Sequence, residues 1–374
     1  MKTTLQRSLS DRSSPPSRRK RPRRMATLAL ITLSVALGLL LPANSALAKS
    51  KKAKPQPSAE RLTGAFCSAT ASTLLAACQT STVDDRLVAR ANCINISDAE
   101  LRDDCFDEAG QAQKEGNQLC SDQFATRVAA CKVLGEGRYD PSIAAALFDD
   151  PRTPSRPNPY FPLSLGNRWE FKSQTRVNTV EAVNERKLID GVLCTVFRDL
   201  VFKNGILSEA TDDWYAPAKD GSTWYFGEEV KDFEDFAGDD PRREELTSID
   251  GSFKQGRDRS KAGIISLASP KRGDAYLEEF SLGNAEDVTE ILSTNYTFGS
   301  DAVLDQGVPA GLAQRFCRGD CVVTKNYSLI EPGVFARKYY ARDIGVFLEV
   351  ESEGDVIQLV SCNFDSRCVG LPTP

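Results

Sequence analysis

Carboxylates in the second half of the chain occupy positions that could support acid–base chemistry. In the segment TWYFGEEV, alternation along a strand places Trp224, Phe226 and Glu228 on one face. Tyr225 falls on the other face. If the aromatic face is inward, Glu228 points toward the core or a cavity. Two carboxyl groups in unlike environments hold different pKa values, which is what a hydrolase needs for its acid and its base.

The possible partners of Glu228 are the acidic residues Glu279, Glu286 and Asp287. In a second segment, ARKYYARD, Lys338 shares a face with Tyr340 and could reach such a carboxylate. The same pattern fits a structural Glu–Lys ion pair or charges on the solvated side of a strand. A non-catalytic protein is therefore the first expectation, and a carboxylate-based hydrolase is the enzyme alternative.

Aromatic residues suggest a ligand cavity in the same part of the chain. They recur at strand spacing and could line the concave face of a curved sheet, where they would hold a lipid or another apolar molecule. The alternative is ordinary core packing. The residues are Trp169, Phe171, Trp214, Tyr215, Trp224, Phe226, Tyr339 and Tyr340.

The chain has no histidine, which excludes several kinds of chemistry. Ser-His-Asp and Cys-His catalysis, histidine-ligated zinc and imidazole pH switches all require that side chain. The glycine patterns GxxxxGK, GxGxxG and GxSxG are also missing, so neither a cofactor nor a metal is expected. The acidic tract VKDFEDFAGDDPRREE departs from the calcium-loop pattern and is expected to be a solvated loop, with weak calcium binding as the alternative.

Six cysteines in the first half of the chain predict a disulfide-stapled helical module. Two stretches, 67–78 and 120–131, have helical apolar spacing, and Ser97 with Glu100 predicts the start of a third short helix between them. Cysteines 11 residues apart on one helix are about 16 Å apart, too far for a bond. Antiparallel packing of the outer helices predicts Cys67–Cys131, Cys78–Cys120 and Cys93–Cys105, whereas parallel packing exchanges the outer partners.

The five remaining cysteines lie in the second half. Cys317, Cys321, Cys362 and Cys368 resemble a zinc site in spacing, but two disulfides are expected in an oxidising compartment, and their pairing stays open. Cys194 alternates with apolar neighbours and is expected to be a buried free thiol.

The segment CRGDC places Arg318-Gly319-Asp320 between two of these cysteines. A closed loop with this sequence would suit an adhesion ligand, which gives a further functional alternative. A three-residue match arises in a chain of this length with a chance probability on the order of 0.1, so the flanking cysteines are the more informative residues.

The amino-terminal residues predict export from the cytoplasm. A basic run precedes the apolar stretch 25–41, and Ala46-Leu47-Ala48 fits a signal-peptidase site, so residues 1–48 are expected to be a signal peptide. An uncleaved membrane anchor is the alternative. Without residues 1–48 the chain has 38 basic and 51 acidic residues, a net charge of −13. Such a surface repels nucleic acid, so no nucleic-acid partner is expected, and the membrane is a partner only during export.

These observations predict an α+β protein of several parts: a flexible basic tail (49–58), the six-cysteine helical module (59–135), a Pro-rich hinge (136–163) and a β-rich domain (164–374). The β-rich domain has short aromatic and β-branched runs separated by Asp190-Gly191, Asn204-Gly205 and Asp220-Gly221, which are hairpin-turn signals. A mostly antiparallel sheet is expected, curved into a barrel, half-barrel or sandwich.

Several motifs together resemble a group of exported bacterial proteins. They are the six-cysteine stretch ending in RYDP, then YFPLSLGNRWEF, DDWYAPAKDGSTWYFGE, LEEFSLGNAEDV and LIEPGVFARKYYARDIG. The resemblance covers most of the mature chain and implies a bacterial, extracytoplasmic setting, but it implies no activity. The expected protein is therefore secreted or periplasmic, and its expected partner is a small apolar ligand or a component of the cell envelope.

Overall fold

The computed structural model describes residues 64–374, so the predicted signal peptide and basic tail lie outside the described residues. Within residues 64–374 there are three α-helices and fifteen strands. The helices are α1 (Phe66–Ile94), α2 (Ala99–Leu134) and α3 (Ala310–Phe316). The strands are β1 (Arg168–Lys172), β2 (Arg176–Ile189), β3 (Val192–Lys203), β4 (Ile206–Pro217), β5 (Thr223–Asp235), β6 (Glu244–Ser248), β7 (Phe253–Lys254), β8 (Lys261–Ser266), β9 (Ala275–Leu277), β10 (Glu279–Phe280), β11 (Asp287–Tyr296), β12 (Cys321–Ser328), β13 (Ala336–Ala341), β14 (Gly345–Glu351) and β15 (Val356–Cys362).

The six-cysteine module is built from two long helices rather than the three short ones predicted. Neither helix contains proline or, apart from Gly110 and Gly116 of α2, glycine, and both are rich in Ala, so no residue ends the helix where the apolar spacing becomes less regular. The break falls at 95–98. There Asp98, one residue after the predicted Ser97, caps α2 by accepting a hydrogen bond from the Leu101 backbone N–H.

Three disulfides join α1 to α2. They are Cys67–Cys131, Cys78–Cys120 and Cys93–Cys105, the set expected for antiparallel packing. Helix α1 has only Ala71, Thr82 and Cys93 buried, so its apolar contribution to stability is small. The disulfides therefore supply much of what holds the two helices together.

The strands form a mainly antiparallel sheet that is nearly closed and barrel-shaped. Thirteen strands follow the order β10-β8-β5-β4-β3-β2-β1-β15-β14-β13-β12-β11-β9, and β6 and β7 pair with β5 off this path. The two end strands, β9 and β10, are consecutive in the chain with Glu278 alone between them. Gly263 of β8 lies against this junction, where an added Cβ would be 2.1 Å from the Glu278 carbonyl oxygen.

The turn signals in the sequence lie where the strands reverse. Asp190 and Gly191 connect β2 to β3, and Asn204 and Gly205 connect β3 to β4, all four with positive φ. That conformation is the one required by the two-residue turns whose twist matches a β-hairpin. These turns fix the register of the long strands that carry the interior side chains.

Helix α2 packs against the sheet through a buried ion pair. The Arg127 guanidinium donates two hydrogen bonds of 2.8 Å to the Glu286 carboxylate, and both side chains are almost fully buried. Gln123 Nε2 adds a 2.8 Å bond to the Ile330 carbonyl. Ala130 packs in one apolar cluster with residues of β9 and β11.

Residues 139–148 of the Pro-rich segment pack along the outside of the sheet, whereas Phe161 and Pro162 reach its inner face. Tyr139 donates its hydroxyl to the Ala262 carbonyl at 2.8 Å, and Phe148 packs edge-on against the ring of Phe226. Helices, Pro-rich segment and sheet belong to one compact unit. In the described part of the chain, no helix is long and apolar enough to cross a membrane.

Candidate functional site

A cavity of about 220 Å³ lies against the inner face of the sheet. Its lining comes from seven strands that are neighbours in the sheet, β4-β3-β2-β1-β15-β14-β13, together with the segments just before β1 and β14. Most of the lining is apolar: Phe161, Pro162, Trp169, Phe171, Val180, Phe197, Tyr215, Ile344, Val346 and Ile357. An apolar cavity with a few polar groups is the usual form of a small-molecule site.

The polar groups of the cavity lie on two sides. Asp199 of β3 and Asp213 of β4 come from one side, and Lys338 of β13 and Glu349 of β14 come from the other. Lys338 and Glu349 are cross-strand partners in register. Burial opposes the charge of Lys338, but Glu349, Glu278 and nearby Asp287 outweigh burial and raise the pKa of the ammonium group.

The surroundings of Asp199 favour the protonated form of its carboxyl. Burial, together with the charges of Asp213 and Glu209, raises the pKa of the Asp199 carboxyl to about 8, although Arg176 and Lys338 act in the opposite direction. Its Oδ1 atom is buried and has no hydrogen-bond partner among the described residues. Asn178 of β2, which also lines the cavity, has its side-chain Oδ1 buried and unpartnered in the same way.

A second group of carboxyls surrounds Tyr225. The Tyr225 hydroxyl donates a short hydrogen bond to Asp213, and burial raises the pKa of both Asp213 and Glu228. Burial also raises the pKa of Glu279, and the charges of Asp287 and Glu228 act in the same direction. The structure therefore brings Glu228, Glu279 and Asp287 into one electrostatic group whose members favour the protonated form.

Glu228 reaches this group because strand β5 contains a bulge. Asp213 pairs with Glu228 and Tyr215 pairs with Tyr225, so β5 has one more residue than β4 between these two pairs. The extra residue reverses the alternation, and Glu228 lies on the face of Tyr225 rather than on that of Trp224 and Phe226 as the sequence predicts. Gly227 makes the bulge possible, since its φ is +127° and an added Cβ would be 2.2 Å from the Phe253 carbonyl oxygen.

The predicted aromatic lining is divided between two faces of the sheet. Trp169, Phe171 and Tyr215 line the cavity. Trp214, Trp224 and Phe226 do not, because they alternate with Tyr215 and Tyr225 and pack on the opposite face in a cluster with Phe148.

The two tyrosines of β13 also differ from the prediction. Tyr339 packs against Phe347 and Tyr296, away from the cavity. Tyr340 packs with Tyr160, Ile291 and Val322 and borders a separate small void of about 10 Å³. Neither residue lines the main cavity.

Glu286 is separate from the other predicted acids because it binds Arg127 of α2. Glu286 and Asp287 are adjacent in the chain, so their carboxylates lie on opposite sides of the strand. The Gly283 backbone N–H also donates to Glu286. Glu286 therefore anchors a helix, and its predicted role as an acid or base has no support from its contacts.

Glu278, which the sequence pattern does not single out, has two polar neighbours in the interior. Thr289 donates to its carboxylate, Asn326 Nδ2 donates to it at 2.8 Å, and burial raises its pKa to about 7. Asp199 and Asp213 were also missed. The signal for Asp199 was available: it is an acidic residue in phase with Phe197 and Val201 on one face of a strand.

The late cysteines form two local disulfides, Cys317–Cys321 and Cys362–Cys368, rather than ligands of a metal. Cys194 is a buried free thiol, and burial raises its pKa. In residues 64–374 no group of three or more Cys, Asp or Glu side chains is arranged to hold a metal ion.

The Arg318-Gly319-Asp320 loop is closed by the first of these disulfides. Arg318 is exposed, whereas the Asp320 carboxylate accepts a 3.1 Å hydrogen bond from the Arg318 backbone N–H. Tyr160 donates its hydroxyl to the Asp320 carbonyl at 3.0 Å. The Tyr160 bond holds the loop against the Pro-rich segment, and the adhesion alternative stays a prediction.

The chain matches no family model, no curated protein and no solved structure. The five disulfides indicate that the protein folds in an oxidising, extracellular environment.

Proposed function

We propose that the protein is a non-catalytic binding protein that holds a small, partly apolar molecule inside its barrel-shaped sheet. The observation that carries this proposal is the cavity of about 220 Å³, which has aromatic walls and buried polar atoms without partners. Buried polar groups of a protein are normally bonded. A ligand in the cavity would supply the missing bonds and cover the apolar wall.

The size of the cavity favours a compact molecule over a long-chain lipid. Small-molecule sites usually have volumes of roughly 300–1,000 Å³, so a cavity of about 220 Å³ is at the small end. The polar atoms lie on the cavity wall beside Phe197 and Tyr215, which suits a molecule with an aromatic or aliphatic body and one polar end. This refines the lipid-like ligand expected from the sequence.

The test is to fill the cavity and look for loss of a bound molecule. Val180 lines the cavity, and Val177 lies on the opposite face of the same strand. Native mass spectrometry of the exported wild-type protein should show a small molecule that is absent from Val180→Phe and retained by the control Val177→Phe. If wild type and Val180→Phe carry the same molecule, or wild type carries none after incubation with metabolite extracts, the proposal is wrong.

The proposal includes export. A ligand-binding protein with five disulfides needs an oxidising compartment, and residues 1–48, outside the described residues, have the composition of a signal peptide. Cleavage after Ala48 would give a secreted or periplasmic protein beginning at Lys49. Intact mass and amino-terminal sequencing of the exported protein test this, and a chain that keeps residues 1–48 in the membrane would favour the anchor alternative.

A carboxylate-based hydrolase is the second candidate, supported by the acid group around Tyr225. Burial keeps Glu228 and Glu279 protonated at higher pH than usual, which is the state a general acid requires. A screen of hydrolytic substrates with wild type, Glu228→Gln and the control Glu229→Gln tests it. Glu229 is exposed on the other face of β5 and binds Lys231. Activity lost only in Glu228→Gln would support the enzyme, and activity that is absent or unchanged would reject it.

A further inference from the structure

We propose that the cavity selects ligands with a cationic nitrogen, an amine or amidine, which binds against Asp199 while the apolar body of the ligand lies along the aromatic wall. The inference rests on the proposed ligand-binding function and names the chemical class of the ligand. It follows from the positions of the unpartnered atoms, the distribution of charge and the volume of the cavity.

The unpartnered atoms are acceptors. Asp199 and Asn178 are on adjacent strands and both line the cavity; Asn178 pairs with Val201 and Val180 pairs with Asp199, so the two polar side chains are diagonal neighbours on one face. The carboxyl Oδ1 of Asp199 and the amide Oδ1 of Asn178 are buried without a hydrogen-bond partner among the described residues. A ligand that satisfies them must bring N–H or O–H donors.

The charges favour a donor that carries positive charge. Two cations border the cavity, but each has a carboxylate of its own: Lys338 is opposite Glu349 in register, and Arg176 is 3.6 Å from Glu351. Asp213 accepts a hydrogen bond from the Tyr225 hydroxyl. Asp199 is therefore the cavity carboxyl with neither an ion-pair partner nor a donor for Oδ1 among the described residues. An anionic ligand would meet Glu349 and, above their raised pKa values, the carboxylates of Asp199 and Asp213.

The protonation of Asp199 gives the inference a pH signature. With the cavity empty, burial and the negative charges of Asp213 and Glu209 keep this carboxyl protonated up to about pH 8, against the opposing pull of Arg176 and Lys338. A cation binds the ionised form, so binding below about pH 8 must release a proton from Asp199. Affinity for a cation therefore rises with pH, up to about tenfold per pH unit below about pH 8.

Matched probes separate charge from shape. Benzylamine, benzyl alcohol and benzoate share one ring and carry a positive, a neutral and a negative group. Calorimetric titration of the full exported chain at pH 8 should show benzylamine binding about tenfold or more tighter than benzyl alcohol, since a bond to a charged group contributes about 1.5–3 kcal/mol. Benzoate should be the weakest of the three.

The variant Asp199→Asn keeps the shape of the side chain and removes its charge. Its ratio of benzylamine to benzyl alcohol affinity should fall toward one, whereas the control Asp212→Asn on the outer face of β4 should keep the wild-type ratio. Wild-type titrations in buffers of different ionisation enthalpy, at pH 6.5, should show about one proton released per benzylamine bound and none per benzyl alcohol. This second measurement does not depend on how the variant folds.

The outcomes distinguish the two proposals. Equal affinity for benzylamine and benzyl alcohol, with both lost in Val180→Phe, would overturn cation selection and leave the ligand-binding function standing. Benzylamine binding without proton release, or an unchanged ratio in Asp199→Asn, would also overturn it. Failure of all three probes to bind, together with no molecule bound in the native protein, would overturn both.

Discussion

Asp199 shows how one residue connects the sequence to the proposed function. Its strand face is otherwise apolar, between Phe197 and Val201, and its Oδ1 atom has no hydrogen-bond partner among the described residues. Burial and the negative charges of Asp213 and Glu209 favour the protonated form of this carboxyl, which is why its pKa is raised to about 8. A buried polar atom without a partner is uncommon in folded proteins, and one that lines a cavity marks a candidate binding position.

The raised pKa of the interior carboxyls predicts that acid stabilises the fold. Asp199 and Glu278, with pKa values of about 8 and about 7, keep protons that the unfolded chain releases near pH 4. The folded state then binds more protons than the unfolded state, so the free energy of unfolding falls as pH rises from about 5 to about 8. Urea unfolding at pH 5, 6, 7 and 8 measures this slope.

Removing one of these carboxyls should reduce the slope. Asp199→Asn should raise the free energy of unfolding at pH 8 by about 1 kcal/mol or more, because one raised pKa unit corresponds to about 1.4 kcal/mol. The control Asp212→Asn, whose wild-type carboxylate binds Arg198 on the outer face, should leave the slope unchanged. A stability that rises with pH over this range, or a slope that Asp199→Asn does not alter, would contradict this account of the interior.

At the scale of elements, the bulge in β5 determines which carboxyls face inward. Simple alternation places Glu228 with Phe226, whereas the extra residue at Gly227 returns it to the face of Tyr225. The bulge requires a backbone conformation and a close approach to β7 that a side chain would prevent. The interior acid group therefore depends on one glycine outside it.

Gly227→Ala tests this dependence. A Cβ at this position would be 2.2 Å from the Phe253 carbonyl oxygen and the φ of +127° disfavours alanine, so the substitution should lower the free energy of unfolding by about 2 kcal/mol or more. Gly238→Ala is the control, because an added Cβ there meets nothing within 4 Å. Denaturant unfolding compares the two, and equal stabilities would show that β5 has no such bulge.

The ion pair between Arg127 of α2 and Glu286 gives a second prediction at the scale of elements. Arg127→Met leaves the buried Glu286 carboxylate without its partner, so it should destabilise the protein by about 3–5 kcal/mol. Adding Glu286→Leu removes the unpaired buried charge and should recover part of the lost free energy of unfolding. A double-mutant cycle measured by urea unfolding should give a coupling of about 1 kcal/mol or more, and additive effects would contradict the pairing.

At the scale of the whole molecule, disulfides rather than an apolar core hold α1 and α2 together. The predicted pairs can be mapped by mass spectrometry of peptides from unreduced protein, with Cys194 the one thiol that is alkylated, and only after unfolding. Replacing Cys78 and Cys120 by serine should lower the free energy of unfolding by about 2–5 kcal/mol. A mapped Cys67–Cys120 bond would instead indicate parallel helices.

The sequence predicts much of this architecture and only part of the site. Asn204-Gly205 and similar pairs identify the hairpins because their backbone preference is local, and helical cysteine spacing limits the disulfides by distance alone. The site depends on features that are not local in sequence. They are the bulge that reverses side-chain alternation in β5, the ion pair between Arg127 of α2 and Glu286, and the near-closure of the sheet at Glu278. Alternation correctly separates Trp214 and Trp224 from Tyr215 and Tyr225, but a single strand does not show which of its two faces lines the cavity.

Trp169 offers the most direct measurement of whether the barrel interior binds a ligand. It lines the cavity, whereas Trp214 and Trp224, the other tryptophans of the chain, lie on the opposite face. In a Trp214→Phe, Trp224→Phe background, titration with benzylamine should change the Trp169 fluorescence saturably, and the added Val180→Phe substitution should abolish the change. A response that is absent with benzylamine, benzyl alcohol and benzoate alike, or that Val180→Phe leaves intact, would contradict a ligand site inside the sheet.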